Sequence, residues 1–202
     1  MAVRVVKVGG SLFDDPQLPA KLAGWLERQT PALEVLVAGG GDLADVIRHA
    51  AARFAVDPDV AHWICIDLLT ATSRLLSALL PEAVHFDRFC DLEAAIARGG
   101  PRRVVFAVED FLREAETHCA GPPLPHDWSV TSDSITARLA TAIGATELVL
   151  LKSTSVPPGT SQATAAAQGL VDDHFPLAAR WVPRVRWVNL REDAAEEAVV
   201  WP

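Results

Sequence analysis

Two glycine turns in this chain have the chemistry of a phosphate cradle. VVKVGGSL at 5–12 and VLVAGGGDLADVIR at 35–48 each read as an apolar strand that breaks into glycines opening a helix. Main chain without Cβ lets a ligand approach closely, and the helix beyond it offers unpaired N–H groups and a positive dipole end. Neither turn has the G-x-x-x-x-G-K-[ST] spacing of a phosphate loop or the G-x-G-x-x-G spacing of a dinucleotide site. Only three lysines occur against fifteen arginines, and two of them, Lys7 and Lys152, stand at the ends of apolar strand-like runs. Spacing alone admits two roles for Lys7, a strand-end lysine reaching solvent or a cation facing a phosphate. The adjoining glycines favour the second.

A second dense segment is PPLPHDWSVTSDSITARLATAIGA at 122–145. Prolines stiffen the approach to His126, Asp127 and Trp128, and Thr131 or Ser132 is placed to cap a helix whose first turn holds Asp133. An acid at that position complements the helix dipole whether or not it also serves a site. His118, Cys119 and His126 do not have a recognisable zinc-ligand spacing, and no resident metal is expected.

The elements that must carry these residues follow from periodicity. Apolar runs rich in β-branched residues at 3–8, 34–38, 103–108 and 147–151, with shorter ones at 83–86 and 185–189, alternate with helical patterns at 17–29, 42–55, 59–80, 91–98, 109–117 and 131–143. That order predicts an α/β fold, a three-layer α/β/α sandwich with a mainly parallel sheet, as one domain over 1–202. Gly144 is placed as the cap of the sixth helix, and 153–169 is expected to be a mobile loop. Trp63, Leu68, Leu69, Leu75, Leu76 and Leu79 follow helical spacing as core or subunit contacts, while Asp67 and Arg74 share a face directed toward the site.

Composition narrows the partners. A formal charge of −8 and pI near 5.2 disfavour a nucleic-acid partner, since a phosphate backbone requires a basic face. The odd cysteine count, Cys65, Cys90 and Cys119, disfavours a disulfide framework, and charges interrupt the longest apolar stretch. A cytoplasmic protein with no membrane partner is expected.

Taken in order, KVGGS at 7–11, AGGGDLADVIR at 38–48, TSDSITARLA at 131–140 and ELVLLK at 147–152 resemble the amino acid kinase superfamily, which includes acetylglutamate, uridylate and isopentenyl phosphate kinases. HDWSVTSDSI at 126–135 is most similar to its short members that phosphorylate aminomethylfuran methyl phosphate in methanofuran and methylofuran assembly. The resemblance implies an ATP- and Mg²⁺-using kinase with Lys7, Asp133 and Lys152 as catalytic residues. It implies that Gly9, Gly10, Ser11, Gly39, Gly40, Gly41 and Ser153 bind phosphates. Arg48, Arg74, His126, Asp127, Trp128, Thr131 and Ser132 would bind a small phosphorylated acceptor, and helix 59–80 would pair subunits into a homodimer or larger homo-oligomer. Two features depart from the family pattern: KSTSVPPG at 152–159 replaces a frequent Asp-x-Asp-Gly turn, and no lysine follows Lys152. Alternative readings are a carboxylate kinase of the acetylglutamate or aspartate type and a non-catalytic nucleotide- or oxyanion-storing protein on the same fold.

Overall fold

Strands that are apolar on both faces need cover on both sides, and this sets the architecture. The computed structural model describes residues 2–192 and 197–201. Strands β1 (Val3–Val8), β2 (Leu33–Ala38) and β4 (Arg103–Phe106) are buried throughout, and β5 (Glu147–Lys152) is buried up to its terminal lysine. With β3 (Val84–Phe86), β6 (Val185–Asn189) and β7 (Glu197–Trp201), they form a seven-stranded sheet in the order β3-β4-β2-β1-β5-β6-β7. The pairs are parallel except β6 with β7, which is antiparallel.

The helices divide between the faces. Val6, Val8, Leu36, Val149 and Leu151 pack on one side with Leu22, Trp25 and Leu26 of α1 (Leu18–Glu27). Val3, Val5, Val35, Val37, Leu148 and Leu150 pack on the other with α3 (Pro58–Leu79), α4 (Phe89–Arg98) and α5 (Ser132–Ala142). Because side chains alternate along a strand, Lys7 and Lys152 belong to this second face, the one that α5 covers. The α/β sandwich with a mainly parallel sheet is thus as the periodicity indicates.

Charged residues near the starts of the strands alternate across the first face. Glu34 lies 3.0 Å from Arg103 and 3.3 Å from Arg4, and Glu147 lies 2.6 Å from Arg4 and 2.8 Å from Arg186. All five are buried. They match sign to sign across neighbouring strands, which suits the register Arg4↔Glu34 and Arg4↔Glu147.

Two segments differ from the sequence reading. The expected helix at 109–117 is a π-helical turn, Phe111–Ala115, followed by a 3₁₀ turn, Glu116–His118. The guanidinium of Arg138 on α5 donates to the carbonyls of Glu116, Cys119 and Ala120 and so holds the 3₁₀ turn and the segment after it. The expected loop at 153–169 contains α6 (Gln162–Ala167), started by Ser161, whose hydroxyl accepts from the Thr164 N–H at 3.0 Å. An alanine-rich turn then propagates readily. The helix α7 (Phe175–Ala178) and strand β7 were not anticipated.

Candidate active site

β1 and β5 are neighbouring parallel strands, with Lys7 opposite Leu150, so both lysines emerge near the carboxyl end of the sheet. Above them the first turn of α5 presents Asp133. Its Oδ1 lies 2.8 Å from Lys7 Nζ and its Oδ2 2.7 Å from Lys152 Nζ. All three side chains are buried or nearly so. Burial alone would raise the Asp133 pKa, but Lys152 and Lys7 outweigh it and hold the carboxyl at about 2. Burial, aided by the Lys7 charge and opposed by Asp133, brings Lys152 down to about 8. One carboxylate therefore keeps two ammonium groups side by side, leaving a net positive group in a water-poor setting.

The glycines are required first by each other. A Cβ on Gly10 would stand 2.0 Å from the Gly41 nitrogen, and Gly41 itself has φ +56° with the Gly10 carbonyl oxygen 2.7 Å from its Cβ position. A Cβ on Gly39 would meet the Gly10 nitrogen at 2.8 Å and Ser132 Oγ at 3.1 Å. The two turns thus interlock backbone against backbone, which accounts for their lack of side chains without a ligand. What this packing leaves is a floor of main chain: Gly9, Gly10, Gly40 and Gly41 line a cavity of about 340 Å³ together with Lys7, Ser11, Ser132, Lys152 and Ser153. Helix α2 (Gly41–Phe54) starts there with no side-chain cap, so its first N–H groups are free for an anion. Ser11 and Ser153 are hydrogen bonded to each other at 2.8 Å on the rim.

The start of α5 is held by a residue that the sequence did not reveal. Thr131 precedes the helix but its side chain does not cap it. Instead Asp172 accepts from the Thr131 N–H at 2.9 Å, the Thr131 hydroxyl at 2.8 Å, the Ser134 N–H at 3.0 Å and the Ser134 hydroxyl. Burial and the nearby Asp133 charge push the Asp172 pKa up, against these hydrogen bonds. A cap supplied from 41 residues downstream in sequence has no local signal. Lys152 is fixed further by the Leu170 carbonyl at 2.8 Å and by the Trp187 ring, whose centroid is 5.2 Å away.

The other cavity wall is mainly apolar: Ile66 and Leu69 from α3, Trp128, Val130, Ile135 and Leu170, joined by His62, Cys65, Asp45 and Asp127. Arg48 lines it, pairing with Asp45 at 2.7 Å and lying 5.0 Å from the centroid of Trp128. Asp127 accepts from the Ser129 N–H and hydroxyl, which, against slight burial, lowers its pKa. His126 stands behind the wall, its Nδ1 2.7 Å from Asp59 and its ring stacked on His62 at 4.6 Å. Arg74 is not brought to this cavity. It lines a separate depression with Thr70, Asp87, Arg88, Glu109 and Arg113, and Asp67 faces outward to Arg113 at 3.3 Å. The reason is helical phase: His62, Cys65, Ile66 and Leu69 form the inner stripe of α3, and positions 67 and 74 fall outside it.

Among the described residues no group of three or more His, Cys, Asp or Glu side chains is arranged to hold a metal ion. Asp133 is committed to two lysines and Asp172 to the helix cap. Among the described residues no helix is long and apolar enough to cross a membrane.

Comparison with solved structures identifies the architecture. The fold is similar to that of a UMP kinase from Bacillus anthracis, with TM-score 0.64 and 14% identity over 95% of this chain and 88% of that one. A uridylate kinase from Archaeoglobus fulgidus gives TM-score 0.59 and 18% identity over 92% of this chain and 89% of that one. An aspartate kinase from Synechocystis gives 0.68 and 18% over all of this chain, which spans 40% of that protein. No protein-family model and no curated protein sequence matches the chain. The molecule has the amino acid kinase fold, and its structural neighbours are phosphotransferases.

Proposed function

We propose that this protein is a small-molecule kinase of the amino acid kinase superfamily that passes the γ-phosphoryl group of MgATP to a phosphate monoester. The observation that carries this reading is the Lys7–Asp133–Lys152 constellation, buried at the edge of a glycine-lined cavity at the carboxyl end of a parallel sheet. Phosphoryl transfer asks the protein for alignment and positive charge around the equatorial oxygens rather than for a covalent group. Lys7 and Lys152 supply that charge, and Asp133 holds them before substrate arrives, so little reorganisation is needed in the transition state. The amides of Gly10, Gly40 and the α2 N-terminus take the remaining phosphate oxygens, whereas those of Gly9 and Gly39 are committed to the carbonyls of Leu151 at 2.8 Å and Val8 at 2.9 Å, and Gly39 does not line the cavity.

The bond from the β–γ bridging oxygen to the γ-phosphorus breaks as an acceptor oxygen bonds to that phosphorus, giving ADP and a diphosphate. A phosphomonoester, with a second pKa of about 6, is largely ionised near neutral pH and needs no general base. Magnesium would be held chiefly by the nucleotide phosphates and would share their neutralisation with Lys7 and Lys152.

The acceptor proposed is aminomethylfuran methyl phosphate. Support for it comes from the HDWSVTSDSI resemblance and from the wall of Trp128, Asp127 and Arg48 beside the phosphate floor. The protein is proposed to act in the cytoplasm as a homodimer or larger homo-oligomer. The test is an ADP-release assay over phosphomonoester and carboxylate acceptors. Turnover with the furan phosphate and none with acetylglutamate or aspartate supports the reading. Preference for a carboxylate overturns the acceptor, and nucleotide binding without acceptor-dependent turnover overturns the enzyme.

A further inference from the structure

His62 lies on the inner stripe of α3, where Cys65, Ile66 and Leu69 also face the cavity. It is 7% exposed, and among the described residues its contacts are with rings, not with a hydrogen-bonding group. The imidazole stacks on His126 with centroids 4.6 Å apart and planes 12° apart, and it meets the edge of Trp63 at 5.2 Å. Asp59 fixes His126 from behind at 2.7 Å, and Arg113 lies 4.1 Å over Trp63. The ring nitrogens of His62 are not among the fully enclosed unpartnered atoms, so a ring held firmly on its faces keeps polar access to the cavity it lines. The open side of His62 is the substrate cavity.

The protonation state agrees. Burial, with the charges of His126 and Arg113, lowers the His62 pKa to about 4 against the opposing effect of Asp59 and Asp127. Near neutral pH the ring is uncharged, with one nitrogen a donor and the other an acceptor. Asp127 shares the same wall and is acceptor-only when ionised.

We propose that His62 is an acceptor-binding, specificity-determining residue, whose unprotonated ring nitrogen accepts a hydrogen bond from an N–H or O–H group on the body of the phosphomonoester, beside Asp127. This rests on the kinase reading above. His126 and Asp59 are positioning residues that set the plane of the imidazole.

The test compares wild type with His62→Phe, which keeps a ring against His126 but removes both nitrogens. Two acceptors are used: aminomethylfuran methyl phosphate, and an analogue carrying methyl in place of the aminomethyl group. His62→Phe should lower kcat/KM at least about tenfold for the amine, mainly through KM, and change it less than about twofold for the methyl analogue. Equal losses for both compounds would mean that His62 only shapes the wall, and would overturn the proposal. Should wild type turn over neither compound, the furan phosphate acceptor fails separately. Imidazole ¹⁵N spectra then decide the matter: the amine compound should move a signal that His62→Phe lacks, while the methyl analogue should not. No such shift overturns the assignment.

Discussion

At Lys152, three charges and a scarcity of water fix a protonation equilibrium that activity should report. In the free protein the ammonium loses its proton near pH 8, because burial and Lys7 together outweigh Asp133. The pH profile of kcat/KM reports the free enzyme, so it should fall along a limb centred near pH 8. Bound phosphates favour the charged form, so the corresponding limb in kcat should lie at higher pH. A kcat/KM that stays flat to about pH 10 would show that Lys152 is not the group required. Stability moves differently: between about pH 8 and 10.5 the unfolded chain binds more protons at this lysine than the fold does. The Lys152 contribution therefore makes the fold relatively more stable as pH rises through that window. For Asp133, lowered from 3.8 to about 2, the stabilisation is present above its unfolded pKa and is lost as pH falls through that interval. Lys7→Met, close to isosteric but uncharged, should cut kcat by about 10²–10³-fold, as removal of other preorganised electrostatic groups does. An unchanged kcat with the true acceptor would remove Lys7 from the mechanism.

The strands and helices decide which of these residues meet, and here the sequence was legible to different depths. The runs at 3–8 and 147–151 and the helix at 131–143 were readable because burial on both faces and helical period leave strong local patterns. That Lys7, Asp133 and Lys152 act together came from the resemblance, and the structure puts the two lysines on one face under α5. Asp172 was not readable, since its link to Thr131 and Ser134 is tertiary and its own segment carries no periodicity. Arg4, Glu34, Arg103, Glu147 and Arg186 were hidden for a related reason: a buried charge is intelligible only once its cross-strand partner is known. The glycines were singled out for their fit to a phosphate, whereas the structure shows that their positions answer to turn-on-turn packing. This gives a contrast between two glycines. Gly10→Ala must displace the Gly41 backbone and should cost about 3 kcal/mol or more. Gly144→Ala, with open space around its Cβ and φ +62°, should cost about 1 kcal/mol from strain alone. Denaturant midpoints that fail to separate the two substitutions would contradict the interlocking turns.

For the molecule as a whole, the charge of −8 is compatible with the proposed anion site because two of the three lysines, Lys7 and Lys152, stand where the glycine turns converge. The neighbouring helices α2 and α3 leave Leu43, Val46, Phe54, Val60, Ile64 and Leu75 exposed. Of the α3 residues placed as core or subunit contacts, Leu69 and Leu76 are buried, whereas Leu75 is 48% exposed. An apolar surface of this kind suits a second copy of the chain. Light scattering at micromolar concentration should give at least twice the mass of the 21.7 kDa chain, and a monomer there would rule out a stable assembly. The central claim, that the lysine–aspartate constellation moves a phosphoryl group onto an existing phosphate, is tested most directly by ³¹P NMR of the protein with MgATP and aminomethylfuran methyl phosphate. The expected result is loss of the monoester signal and growth of a coupled pair of diphosphate resonances in step with ADP, abolished or slowed about 10²-fold or more by Lys7→Met. A monoester signal that persists while the folded protein binds nucleotide, or a diphosphate that forms equally fast without Lys7, would contradict it.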